Sequence, residues 1–151
     1  MALMALGALA TGEPLVFPSL GPTAFMLFYQ PTSPAACPRN VLLGHLIGIV
    51  AGYVSLVAFG LRHAEPALAG GLTLAWVGSA AMSLALTSGA MVWLRVPHPP
   101  AGATTLIVSL GIIPRPGQLV ALGAAILLLV LQALVINRLS GIAYPIWAPR
   151  R

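Results

Sequence analysis

Apolar residues run along this chain in blocks rather than in alternation. Residues 41–61, "VLLGHLIGIVAGYVSLVAFGL", pass 21 positions without a formal charge. Residues 67–94 form a longer block ending at Trp93-Leu94, and 117–137, "GQLVALGAAILLLVLQALVIN", is the cleanest of all. At 1.5 Å rise per residue, about 20 such residues cross the roughly 30 Å core of a bilayer, so each block predicts a spanning helix. A fourth block, 1–12, is too short unless the chain begins further upstream or 15–17 continue it. Two briefer pieces remain, 15–30 ("LVFPSLGPTAFMLFYQ") and 99–113 ("PPAGATTLIVSLGII"). Both open with proline and glycine and close on a hydrophobic run. That length suits a re-entrant half-helix or a short crossing sheltered by its neighbours.

The two short pieces resemble each other. "PSLGPTA" (18–24) lies over "PPAGATT" (99–105), matching at Pro18/Pro99, Gly21/Gly102 and Thr23/Thr104. A long helix follows each, introduced by Pro38-Arg39 in one case and Pro114-Arg115 in the other, with small residues every fourth position: Gly44, Gly48, Gly52 and Gly117, Ala121, Ala125. Pro/Gly-broken segments in matching positions of two halves are a sequence-level pointer to a transporter's binding site. The pattern predicts an all-α membrane protein of two similar halves, about 1–63 and 64–140. Each half is a long helix, a short broken helix and a long helix, giving four long and two short membrane segments. Residues 1–140 make a single transmembrane domain and 141–151 a short tail. The glycine stripe offers close helix packing, within the chain or between copies of a homo-oligomer. A second stripe, Ala75, Ser79, Ser83 and Thr87, offers either packing with hydroxyl bonds or a polar pore lining.

Composition sharpens the membrane reading. Of 151 residues 59% are hydrophobic and 6% charged, against about a quarter charged in ordinary soluble domains. Seven arginines and no lysine oppose Glu13 and Glu65, for a net charge of +5. No arginine cluster or nucleic-acid-binding motif is present, so the excess speaks for topology, lipid headgroups or a small anion. If the short pieces are re-entrant, the arginines divide into 62, 138, 150, 151 and 39, 95, 115. If every block crosses, they divide into 39, 95, 138, 150, 151 and 62, 115, the split that better fits a positively charged cytoplasmic side. The all-arginine usage, with much Ala, Leu and Gly, points to a bacterial plasma membrane. Cys37 is the sole cysteine, which excludes an intrachain disulfide. The three histidines lack metal-ligand spacing, no long block carries a carboxylate, and no hydrolase or phosphate-loop motif occurs, so we expect neither an enzyme, a metal nor another cofactor.

Chemistry concentrates at "RVPHPPAGATT" (95–105). Pro99-Pro100 suit the first turn of a helix, whose leading N–H groups lack intrahelical partners and whose dipole is positive. A small anion would satisfy both. The expected lining is Ser19, Gly21, Thr23, His98, Gly102, Thr104 and Thr105, with Arg39, His45 and Arg95 attracting or gating the anion. The plainer alternative is an interfacial turn with Arg95 and Arg39 snorkelling to lipid phosphate and His45 serving packing or an interhelical hydrogen bond. A non-transporting structural or regulatory membrane subunit is the functional counterpart of that alternative.

"HPPAGATT" (98–105) resembles the signature of the HPP family, and "SLGPTAFMLF" (19–28), "SPAACPRN" (33–40) and Gly44-His45 occur in that family's order. The likeness covers about residues 15–137. It implies a small membrane protein, usually described with four transmembrane helices, and, by analogy with plastid and cyanobacterial members, a transporter or channel for a small monovalent anion, nitrite foremost. The chain departs from the family pattern at Leu20 and Pro22, where an aromatic and an alanine are expected.

Overall fold

A computed structural model describes residues 2–11 and 16–149; Glu13, Arg150 and Arg151 lie outside them. Within these residues every regular element is a helix: α1 (Ala2–Thr11), α2 (Leu20–Tyr29), a 3-10 turn (Pro34–Ala36), α3 (Pro38–Ala58), α4 (Ala67–Gly70), α5 (Leu74–Leu94), α6 (Ala101–Ser109) and α7 (Pro116–Leu139). Pro38 and Pro116 occupy first-turn positions, where a missing N–H costs nothing and the fixed φ is already helical. Three helices, α3, α5 and α7, are long and apolar enough to cross a membrane. Four long segments were expected, and the described part of the first, α1, has only 10 residues.

The 67–94 block does not form one helix. Gly71 takes φ +88°, a left-handed conformation that glycine adopts without steric cost, and this stops α4 after one turn. Thr73 then caps α5 by accepting the Trp76 N–H at 3.5 Å.

The glycine stripe of α3 is covered by α6 of the same chain. A Cβ built on Gly44 would sit 2.7 Å from His98 Cβ, one on Gly48 2.8 Å from Thr105 Oγ1, and one on Gly52 2.8 Å from both the Thr105 carbonyl oxygen and Val108 Cβ. The stripe is therefore not free to join copies. The pairings rise together along both helices, so α6 runs parallel to α3. It starts at the depth of His45, about two turns inside α3, and finishes beyond Gly52. The loop 95–100 dips to meet it. Irregular backbone at that depth is tolerated where protein, not lipid, surrounds it.

These directions sort the arginines. The Arg39 N–H donates to the Trp147 carbonyl (2.9 Å), and the Tyr144 hydroxyl donates to the Ala36 carbonyl (2.7 Å). The start of α3 and the end of α7 with its tail thus share one end of the bundle. Arg95 joins them, because Met91, one turn before it, lies against Gly44. At the other end the Ala67 N–H donates to the Leu110 carbonyl (3.1 Å), and Arg62 and Arg115 line one cavity. Arg39, Arg95 and Arg138 therefore stand opposite Arg62 and Arg115. This is the division expected if α6 completes a crossing.

Helix α2 runs the other way from α6. Its Thr23 meets His45, and its Leu27 carbonyl accepts from Asn137 near the end of α7 (3.0 Å), so α2 heads toward the Arg39 end. The apolar core fills the space between α2, α3, α6 and α7 with Leu20, Leu27, Val41, Val108, Leu122 and Leu129.

Candidate functional site

Four buried polar side chains from three helices and one loop meet at the depth where α6 begins. Thr23 comes from α2, His45 from α3, His98 from the dipping loop and Thr104 from α6; none is more than 1% exposed. Two local features bring them together. Arg95 ends α5 in the left-handed conformation (φ +53°, ψ +48°), uncommon for a residue with a Cβ, and turns the chain back inward. Gly44, immediately before His45, leaves room for His98 to lie against α3. The two imidazoles then sit 4.9 Å apart between ring centres, tilted by 56°.

The hydrogen bonds fix a direction. His98 Nδ1 lies 2.7 Å from the Ala35 carbonyl, which can only accept, so Nδ1 carries the hydrogen. Nε2 of a neutral His98 is then an acceptor. Thr23 Oγ1 lies 3.3 Å from it and 2.9 Å from His45 Nε2, while His45 Nδ1 lies 2.8 Å from Thr104 Oγ1. One arrangement satisfies both rings. Thr104 donates to His45 Nδ1, His45 Nε2 donates to Thr23, Thr23 donates to His98 Nε2, and His98 Nδ1 donates to Ala35. The opposite tautomer of His45 would use the Thr23 hydrogen at His45 and set two Nε2 lone pairs facing each other at 3.3 Å. The Thr23 hydroxyl also has a weaker alternative acceptor, the Ser19 carbonyl at 3.4 Å. It can therefore release His98 Nε2 if that atom takes up a proton.

The remaining expected residues are distributed around this cluster. Thr105 lies against Gly48 of α3 and bonds to α5 rather than to the histidines, accepting from Thr87 (2.9 Å) and donating to the Ala101 carbonyl (3.1 Å). Ser19 is buried with its hydroxyl unpartnered. Gly21 opens on a groove of about 570 Å³ between α2 and the start of α6, shared with Phe25, Tyr29, Pro99 and Pro100. Gly102 faces a different groove, about 400 Å³, shared with Thr87, Met91 and His98. Arg39 is half-buried and Arg95 exposed, and neither guanidinium bonds to the histidine cluster. The leading amides of the short helices are already used. Ala101, Gly102 and Ala103 donate to the carbonyls of His98, Pro99 and Pro100, and Leu20 and Gly21 to those of Phe17 and Pro18. In this conformation the polar groups at the two helix starts are thus imidazoles and hydroxyls, not free N–H groups.

Sequence reasoning did not single out the Ala35 carbonyl, because a backbone acceptor carries no residue signature. Asn40 was also passed over; it is buried, donates to the Pro34 carbonyl (2.9 Å) and helps set the 3-10 turn that presents Ala35. Thr87 was visible only as one member of a stripe. Among the described residues no three His, Cys, Asp or Glu side chains converge. Outside the spanning segments, burial raises the Cys37 thiol pKa and pushes the Tyr144 phenol well above its ordinary value.

The transmembrane region of the HPP family matches residues 1–145. Two curated transmembrane proteins of Dictyostelium discoideum are similar. One is 31% identical over 126 residues, 81% of this chain and 41% of the relative; the other is 36% identical over 89 residues, 59% and 25%. The chain thus spans well under half the length of either relative. No solved structure matches it. A match over nearly the whole chain, including the stretch that carries His98 and Thr104, places this protein in the HPP family of integral membrane proteins.

Proposed function

We propose that this chain moves a small monovalent anion across the membrane, with nitrite the leading substrate, through the site formed by Thr23, His45, His98 and Thr104. The observation that carries the reading is the burial of two imidazoles, bridged by one hydroxyl, deep in an apolar bundle. Ionisable side chains at such depth are costly and mark substrate or proton pathways. The cluster contains no carboxylate, so an imidazolium formed there would lack a counter-charge. A monovalent anion supplies one, and the pair enters without net charge. Proton and anion would then be taken up together, with Thr23 turning from His98 to the Ser19 carbonyl as His98 Nε2 is protonated. Arg39 and Arg95, at the same end of the bundle, would raise the local anion concentration.

The opposed directions of α2 and α6, and of α3 and α7, support an inverted duplication of the two halves. Its site would lie where the broken helices meet. A homo-oligomer in a bacterial plasma membrane completes the proposal, with copies meeting through a face other than the glycine stripe.

One observation favours a second reading, a non-transporting structural subunit: the four side chains, together with the Ala35 carbonyl, satisfy both imidazole rings without a ligand. Proteoliposome flux decides between them. Transport predicts uptake of nitrite above empty liposomes, rising as external pH falls, with nitrate, formate and chloride compared alongside. Absence of flux for every anion, from protein shown to be folded, would leave the structural reading.

A further inference from the structure

The end of the bundle remote from the histidines carries a second polar feature. Arg62 and His63 come from the α3–α4 connection, and Arg115 and Gln118 from the start of α7. They line one cavity of about 510 Å³ together with Gly111, Ile112, Pro114 and Pro116. That size lies within the usual range of small-ligand sites, roughly 300–1,000 Å³. Neither guanidinium forms an ion pair among the described residues, and no carboxylate lines the cavity. Glu65, the described acid of the same connection, lies instead beside Gly70.

The two cationic segments, some fifty positions apart in sequence, are held in register. The Ala67 N–H donates to the Leu110 carbonyl at 3.1 Å, and Gly111, at φ +72°, sits where an added Cβ would be 2.8 Å from the Trp76 ring. A larger residue at 111 would push the α6–α7 connection off that indole. The cavity floor is thus tied to the packed interior, and its charges lie where α3 ends and α7 begins, at headgroup depth.

Two guanidiniums and an imidazole at one cavity, with no acid to balance them, fit a phosphate group, which arginine binds through planar, bidentate hydrogen bonds. We propose that this cavity is a phosphate-binding site, occupied by the headgroup phosphate of an anionic lipid or by a free phosphate monoester. It does not depend on transport and is tested without flux.

The test uses the full chain in detergent micelles doped with phosphatidylglycerol, with phosphatidylcholine, or with soluble glycerol 3-phosphate. The thermal unfolding midpoint is read from exposure of Cys37 to a thiol-reactive dye. Phosphatidylglycerol is expected to raise the midpoint above phosphatidylcholine at equal mole fraction. An Arg62→Gln/Arg115→Gln double variant should lose at least half of that difference, while Arg138→Gln, at the opposite end, keeps it. A shift reproduced by glycerol 3-phosphate supports a free monoester as occupant; a shift from the lipid alone supports the headgroup. Equal midpoints in both lipids with no effect of glycerol 3-phosphate, or a difference that survives the double substitution, overturns the site. Should the double variant fail to fold, a photoreactive phosphatidylglycerol on the unaltered protein gives the answer: adducts on residues 62–66 and 111–118 support the site, and adducts only elsewhere overturn it.

Discussion

The sharpest structural prediction concerns Gly48→Ala. Helices α3 and α6 approach so closely there that an added methyl would lie 2.8 Å from Thr105 Oγ1 and 2.9 Å from the Ala101 carbonyl oxygen. Neither atom is the free end of a flexible side chain: the Thr105 hydroxyl is held between Thr87 and Ala101, and the other is backbone. Relief to an ordinary contact requires the helices to part by roughly 0.6 Å, a core distortion costing about 1–3 kcal/mol. Alanine's better helix propensity offsets roughly 0.5–1 kcal/mol of this. The same displacement stretches the His45–Thr104 bond from 2.8 Å toward the limit of a hydrogen bond, which adds about 1 kcal/mol. The net expectation is a loss of about 1–3 kcal/mol. Gly123→Ala on α7 is the control, because a Cβ there meets nothing within 4 Å; it should be neutral or slightly stabilising. Cys37, the sole thiol and fully buried, reports unfolding in both variants by reacting with a maleimide dye only once the fold opens. At roughly 2–4 °C per kcal/mol for a chain of this size, Gly48→Ala should melt clearly below Gly123→Ala. Equal midpoints for the two variants would refute the α3–α6 packing on which the site depends.

Tyr144→Phe should cost about 1–2 kcal/mol in the same melt, because the Ala36 carbonyl loses its buried donor. The Tyr144 pKa is raised by burial, so its contribution is fully present below the unfolded value near pH 10 and is lost as pH rises from there through the folded value; an alkaline titration of the melting midpoint should show a steeper fall in the unaltered protein than in Tyr144→Phe, where the raised thiol of Cys37 still contributes. Asn137→Leu removes the donor to the Leu27 carbonyl and should loosen α2 from α7, seen as faster amide exchange across residues 23–29. For topology, single cysteines replacing Arg95 and Arg138 in a Cys37→Ser background should label from one side of sealed vesicles, and those replacing Arg62 and Arg115 from the other. Labelling of positions 62 and 115 from opposite sides would remove the crossing by α6.

The sequence made the membrane class, the long helices and the HPP stretch legible because each rests on a local signal: hydropathy length, first-turn prolines, a compact motif. Thr23, His45, His98 and Thr104 could be nominated one by one for the same reason. That they meet in one cluster depends on Gly44 and on the left-handed turn at Arg95, both of which act through tertiary packing. The glycine stripe announced close approach but not its partner, since periodicity marks a face without saying what covers it. The break of the 67–94 block was written in Gly70-Gly71, yet hydropathy smoothed over it. The spent amides at the start of α6 escaped notice because prolines at 99 and 100 remove donors but keep their carbonyls, which a tight turn then uses. The cavity of Arg62 and Arg115 had no sequence signature, because its two halves are joined through tertiary contacts such as Gly111 against Trp76 and the Ala67–Leu110 backbone bond.

Anion uptake into proteoliposomes, compared between the unaltered chain and folded His45→Asn and Thr104→Val variants, tests the central claim most directly. The account predicts nitrite uptake by the unaltered protein and a loss of at least tenfold in both variants at matched protein density. Uptake unchanged by either substitution, or none from the folded unaltered chain, would contradict it.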